Sequence, residues 1–221
     1  MVGNPGAACD RPSSRIELRR RAFLDAAKDL FLEKGLERTT LSDIVARSGG
    51  SRSTLCELFG GKEGLFVAML EESSRQIGSN FNSIALSDDP PEVALSCFAR
   101  RFVKTILASE AIAILRVVIA EGTRFPEIAR TLVRVGPDVG GTKLAVYFRK
   151  AMAKGQLHLA DVDEAVTLFR ALVIGDFHFL VLLGQEIPGG EAAIDRQIDD
   201  AVALFLRACG RVAPAAPTPT S

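Results

Sequence analysis

Between residues 41 and 62 the chain lays down two short apolar stripes and cuts each off with a pair of glycines. Leu41, Ile44 and Val45 form the first stripe, ended by Gly49-Gly50; Leu55, Leu58 and Phe59 form the second, ended by Gly60-Gly61. The spacing is helical, and glycine pairs release the backbone into conformations that stop a helix. Each helix is therefore about two turns long, too short to be stable alone. They must pack against something, and the stripe just upstream supplies it: Phe23, Ala27, Leu30 and Phe31, stopped by Gly35. Start signals agree. Thr40 with Asp43 three residues on has the pattern of a capping box, and Ser51 stands where a cap for the next helix belongs.

Downstream the helical pattern continues in longer pieces. Leu65, Phe66, Met69 and Leu70 open a helix expected to run to about residue 85, before "SDDPPE". Helices are then expected over "EVALSCFARRFVKTILAS", "EAIAILRVVIAEG", "PEIARTLVRVG" (with Pro126 at a first helical position), "GTKLAVYFRKAMAKG", about 162–184 and about 190–209. No β-branched alternation bounded by hairpin turns occurs, so the fold class is all-α. The Pro/Gly-containing start (1–13) and the "VAPAAPTPTS" end (212–221) read as disordered tails. The expected organisation is a small helical domain over 14–61, a connecting helix over 62–85, and a larger helical domain over 86–211.

Two short helices across a tight glycine turn are the outline of a helix-turn-helix. Such a unit needs a second helix that is apolar on one side and carries short donors and a cation on the other. Residues 51–59 satisfy this: Ser51, Arg52, Ser53, Thr54, Cys56 and Glu57 are left for the outer face. Arg52 suits a guanine edge or a phosphate, and the hydroxyls suit phosphates. Charge is distributed to match. The chain is neutral overall, but residues 11–62 carry a net +4 and residues 63–221 a net −3, so a polyanion is expected to dock at the front. The same pattern also fits an ordinary solvated amphipathic helix.

The residues choose between these readings when taken as a set. The segment 19–72, "RRRAFLDAAKDLFLEKGLERTTLSDIVARSGGSRSTLCELFGGKEGLFVAMLEE", resembles the DNA-binding segment of the tetracycline-repressor (TetR) family. Ala26, Ala27, Leu30, Phe31, Gly35, Thr40, Ile44, Gly49, Ser51, Thr54, Leu55, Phe59, Lys62, Glu63 and Leu65 carry the resemblance. It implies a DNA-binding transcriptional regulator, most simply a repressor that a small molecule releases from a palindromic operator. The candidate DNA contacts are Arg19, Thr40, Ser51, Arg52, Ser53, Thr54, Cys56 and Lys62. Val45, Ser48, Gly50, Cys56 and Leu58 depart from the family pattern. Gly50 replaces the usual valine and loses an apolar plug. Cys56 replaces a tyrosine that commonly touches a phosphate, and a thiol is a shorter, poorer donor. These departures keep open an alternative, a helical interaction protein on the same scaffold with weakened operator binding.

The resemblance further implies an all-helical ligand-binding and dimerisation domain; "AEGTRFPEIARTL" and "AKGQLHLADVDEAVTLFRALVIGDF" are similar to segments of one broad subgroup. A homodimer through the last two helices is expected, along Leu168, Leu172 and Gly175 on one and Ile194, Ile198, Ala201 and Phe205 on the other. An apolar pocket is expected from Phe98, Phe102, Leu115, Val118, Phe125, Tyr147, Phe148, Met152, Phe169 and Phe177, with Glu121, Arg124, Tyr147, Asp176 and His178 as polar candidates. Enzyme chemistry finds little support. The two histidines, His158 and His178, belong to no H-E-x-x-H pattern, there is no G-x-S-x-G, and "GPDVGGTK" reverses the Lys-Ser/Thr order of a phosphate loop. Cys9, Cys56, Cys97 and Cys209 are too scattered for a zinc site or a disulfide scaffold, so neither metal nor cofactor is expected. The start lacks the apolar stretch of a secretory signal, and the run 171–184 is too short to span a membrane and contains Asp176 and His178. A cytoplasmic protein is expected.

Overall fold

The structure, a computed structural model, describes residues 15–82, 89–136 and 140–209. Both expected tails lie outside these residues. Among them are eleven helices and no strand: α1 (Arg15–Arg38), α2 (Leu41–Ser48), α3 (Arg52–Phe59), α4 (Lys62–Asn82), α5 (Pro91–Ile106), α6 (Ser109–Glu121), α7 (Pro126–Val135), α8 (Gly141–Ala153), α9 (Val162–Ile174), α10 (Phe177–Leu182) and α11 (Gly190–Cys209). The chain divides into two compact units, 1–69 and 70–221, with the division inside α4.

In the first unit the glycines and caps act where the sequence places them. Gly35 leaves helical geometry at φ 80°, breaking α1 near its end. The hydroxyl of the buried Thr39 then donates back to the carbonyls of Gly35 (2.8 Å) and Leu30 (3.2 Å). Thr40 and Asp43 form the full capping box of α2: Asp43 N donates to Thr40 Oγ1 at 3.1 Å, and Thr40 N donates to Asp43 Oδ2 at 3.0 Å. Those bonds hold the Asp43 carboxyl below its ordinary pKa. Ser51 caps α3 by accepting from Thr54 N at 3.1 Å, and Gly60 closes α3 in the left-handed region at φ 76°. The core is Phe23, Ala27, Leu30, Phe31, Ile44, Leu55, Leu65 and Phe66, all 2 % exposed or less. Phe31 meets Phe66 at 5.2 Å, and Phe23 meets Phe59 edge-on at 6.3 Å.

The second unit is built on phenylalanines. Phe98 and Phe102 from α5, Phe148 from α8, Phe169 from α9 and Phe205 from α11 are all fully buried. Phe148 and Phe205 stack at 5.3 Å, and Phe169 and Phe205 meet edge-on at 5.0 Å. These contacts define the α5, α8, α9 and α11 core, and α6, α7 and α10 pack beside it.

Two expectations change here. The helix expected over 162–184 is two helices. Gly175, at φ 53° and ψ −137°, ends α9, and α10 starts afresh at Phe177. A side chain at Gly175 would also press on Gln197, whose amide Nε2 donates to Leu172 O at 2.8 Å. The apolar stripe of α11 is the second change. Ile198, Ala201 and Phe205, expected at a dimer seam, are 3 % exposed or less because they pack into their own unit. The outward apolar residues of these helices are Leu168, Phe179 and Leu204, each between 47 and 64 % exposed.

Candidate nucleic-acid interface and cavity

The capping of α3 decides what its start can present. Ser51 Oγ lies 2.9 Å from Ser53 Oγ and 2.8 Å from Thr54 Oγ1, so three hydroxyls gather over the first turn. The unsatisfied backbone N–H groups of that turn add a partial positive charge. Arg52, the first residue of α3, is exposed and makes no salt bridge among the described residues. Cys56, one turn later, is also exposed. The face that carries Ser51, Arg52, Ser53 and Cys56 is therefore free of the unit's core, while Leu55 is wholly buried behind it.

The remaining candidates sit differently. Arg19 reaches across the Gly49-Gly50 turn and donates from Nη1 to Ser48 O at 3.2 Å, at the C-terminal end of α2. Lys62 donates from Nζ to Glu37 O at 3.1 Å and so ties the start of α4 to the end of α1. Thr40 is exposed, but its hydroxyl is engaged with Asp43 at 2.9 Å. Arg47 pairs bidentately with Glu33 at 2.8 and 2.9 Å, and Lys34 lies 3.8 Å from Asp43. Some of the positive charge at the front is thus matched by carboxylates of its own unit.

Sequence reasoning missed Arg15. It lines a shallow cleft with Ile16, Arg19, Gly50, Ser51, Thr54, Glu57 and Leu58, beside the hydroxyl cluster. The signal was the run "RIELRRR", whose register could not be fixed without knowing where α1 begins. Gly50 also acquires a physical reason. Its φ is +96°, and a Cβ there would come within 3.0 Å of the Phe23 ring and 3.2 Å of Arg19 Cδ. The volume of the missing valine is filled from α1.

The second unit holds a cavity of about 440 Å³. Its wall is drawn from α4, α5, α6, α7, α9 and α10 and is mostly apolar, including Leu70, Ile77, Phe102, Ile114, Leu115, Leu132 and Ile174. Of the pocket candidates, Phe102, Leu115 and His178 are in the wall. Phe98 and Phe148 are in the aromatic core instead, in contact with Phe169. Val118, Tyr147 and Phe177 are buried, and Glu121, Phe125 and Met152 half-buried, none of them in the wall. Burial pushes the Tyr147 phenol up to about 12, and its hydroxyl has no hydrogen-bond partner among the described residues. Burial lowers the His178 pKa, which keeps the imidazole neutral at pH 7. Arg170 and the α4 residues of the wall were not foreseen: α4 reads as a connector from its sequence, and no sequence pattern singles out Arg170. No helix among the described residues is long and apolar enough to cross a membrane, and no group of His, Cys, Asp and Glu among them could hold a metal ion.

Residues 23–69 match the bacterial regulatory proteins of the tetR family, and residues 93–211 match the AefR-like transcriptional repressor C-terminal domain. The HTH-type transcriptional repressor Rv3405c of Mycobacterium tuberculosis is 30% identical over 162 residues, covering 71% of this chain and 80% of its own. A solved TetR-family regulator from Mesorhizobium loti superposes with a TM-score of 0.80 at 22% identity, over 90% of this chain and 100% of its own. The flavonoid-responsive regulator FrrA superposes with a TM-score of 0.76 at 31% identity, over 88% of this chain and 98% of its own. With a tetR-type reading segment at the front and an AefR-like domain over more than half its length, the chain belongs to the TetR family of transcriptional regulators.

Proposed function

We propose that the protein represses transcription as a homodimer on a palindromic operator and leaves the DNA when a small molecule enters the cavity. The observation that carries the DNA half is the exposed start of α3, where Arg52, the Ser51–Ser53–Thr54 hydroxyls and free backbone N–H groups converge. Arg52 would reach a base edge or phosphate, and the hydroxyls would position the helix on the backbone. Arg15 and Arg19 beside the cleft would add phosphate contacts. Lys62 and Thr40 serve first as strut and cap, and contact DNA only with what those bonds leave over.

The cavity half rests on α4. Its first turns belong to the reading unit, and its later residues Leu70, Ser73, Ser74 and Ile77 line the cavity. Ser74 donates to Val135 O at 3.0 Å, and Glu71 pairs with Arg134 at 2.7 Å, so α4 is tied to α7 on the cavity wall. A ligand that prefers one placement of α4 shifts the dimer away from the form whose recognition helices match grooves about 34–36 Å apart. The shift is no larger than that preference. FrrA responds to flavonoids, which supports a small organic effector.

The dimer would use the outward faces of α9, α10 and α11, around Leu168, Phe179 and Leu204. The alternative of a scaffold that has lost operator binding draws on Gly50 and Cys56; the packing of Phe23 and Arg19 over Gly50 weighs against the first ground, and the exposed Cys56 keeps the second. A gel-shift titration with DNA flanking the protein's own gene tests the proposal. Specific retardation at nanomolar protein supports it, and binding no tighter than to unrelated DNA rejects it.

A further inference from the structure

We propose that the cavity selects an uncharged, mainly apolar molecule bearing a hydroxyl group, which His178 receives. This rests on the effector reading above and adds the class of ligand. The cavity volume, about 440 Å³, falls within the ~300–1,000 Å³ of small-molecule sites. Its polar side chains are few, and most are engaged within the wall. Ser74 and Thr105 donate their hydroxyl protons to Val135 O (3.0 Å) and Arg101 O (2.8 Å). The Arg170 guanidinium stands 5.0 Å over the Phe102 ring and donates from Nη2 to Gly136 O at 3.4 Å, so it braces the wall. No Asp or Glu is among the described residues of the wall, so no carboxylate there would balance a cationic ligand.

His178 is different in kind. Its imidazole is half-buried in the wall and has no hydrogen-bond partner among the described residues. Ser73 on α4 shares that condition, but a helical serine can satisfy itself on a carbonyl one turn back, an outlet the imidazole lacks. Burial keeps the ring neutral at pH 7, with one nitrogen donating and the other accepting. A hydroxyl both donates and accepts, so it pairs with either nitrogen; a carbonyl or an ether meets only the N–H. The fold also fixes the ring. The break at Gly175 starts α10 afresh, and Phe177 is buried beside His178. Arg116 then donates to Val181 O at 2.7 Å and Leu182 O at 3.0 Å, which pins the far end of α10. In an otherwise apolar enclosure an unpaired ligand hydroxyl is costly, and the imidazole removes that cost.

Two ligands of one shape test this. 2-Naphthol, uncharged at pH 7, and 2-methylnaphthalene differ only by a hydroxyl in place of a methyl group. Each is titrated against the full chain loaded with N-phenyl-1-naphthylamine, a neutral dye that brightens in apolar surroundings. His178→Phe should weaken 2-naphthol by about fivefold or more and leave 2-methylnaphthalene within about threefold. His178→Asn, which keeps a donor and an acceptor, should recover most of the loss. Parallel weakening of both compounds, or no change in either, overturns the inference. Leu115→Trp should abolish dye binding, which assigns the dye to the cavity; retained binding overturns the inference.

A wild-type measurement needs no variant to fold. A wall without a partner for the hydroxyl would favour the methyl compound by about tenfold. Wild type should instead bind 2-naphthol at least as tightly as 2-methylnaphthalene. Tighter binding of 2-methylnaphthalene overturns the inference, and so does displacement by 2-naphthoate at lower concentration than by 2-naphthol, which would show selection for an anion. Both results leave the cavity as an effector site. Absence of saturable dye binding by wild type refutes the effector reading itself.

Discussion

Arg52 and Cys56 stand one turn apart on the exposed face of α3 and make opposite predictions. Arg52→Ala removes an exposed cation that makes no salt bridge among the described residues, so the melting temperature should hold while operator binding weakens by about 1–3 kcal/mol. Calorimetry and fluorescence anisotropy on the same preparation check both halves. Cys56→Tyr should instead tighten binding to operator and to unrelated DNA alike by about 0.5–1.5 kcal/mol, because a phosphate contact carries no sequence information. The exposure of Cys56 leaves room for the larger ring, so a fall in melting temperature would count against its placement. Tyr147 offers a test by pH. The residue is buried and its pKa is raised to about 12, above the unfolded value of about 10. The unfolded chain therefore loses this proton first as pH rises. Stability falls between about pH 10 and about pH 12 and levels off above the folded value. Tyr147→Phe should flatten that stretch of the profile; an unchanged slope would show that other groups cause it.

At the scale of elements, the turn between α3 and α4 is the most constrained. A Cβ on Gly64 would lie 1.9 Å from Phe59 O, a backbone atom that cannot swing aside. Gly64→Ala should cost about 1–3 kcal/mol or more by denaturant titration, although alanine is the better helix former elsewhere. This constraint was invisible in the sequence, where Gly64 looks like a weak point in a helix. What could be read was local. The Thr40–Asp43 box, the Ser51 cap and the stops at Gly35 and Gly60 depend on residues within one or two turns of each other, and all stand as the sequence implies. The break at Gly175 could not be read, because apolar residues run through it on both sides and only contact with Gln197 distinguishes stop from continuation. The cavity was half legible for a related reason. Large apolar side chains mark a core and a pocket wall equally, so Phe98 and Phe102 look alike in sequence yet only Phe102 lines the space.

For the whole molecule, the burial of Ile198, Ala201 and Phe205 changes how assembly is tested. A charge at Ala201 would unfold the unit instead of separating one protomer from its partner, so it cannot report on the interface. Leu168→Glu combined with Leu204→Glu alters two exposed side chains, and should yield folded monomers by light scattering with operator binding lost. A folded double variant that stays dimeric would place the interface elsewhere. Function stands or falls on whether this chain reads DNA through α3. Anisotropy of a labelled fragment from the DNA flanking its own gene, titrated with wild type and Arg52→Ala in the presence of excess unrelated DNA, decides it. Wild type should bind specifically near 10⁻⁸ M or tighter, roughly three or more decades above unrelated DNA, and the folded variant should show a clear loss. Equal affinity for flanking and unrelated DNA, or an Arg52→Ala protein that binds as wild type does, would contradict a reading role for α3.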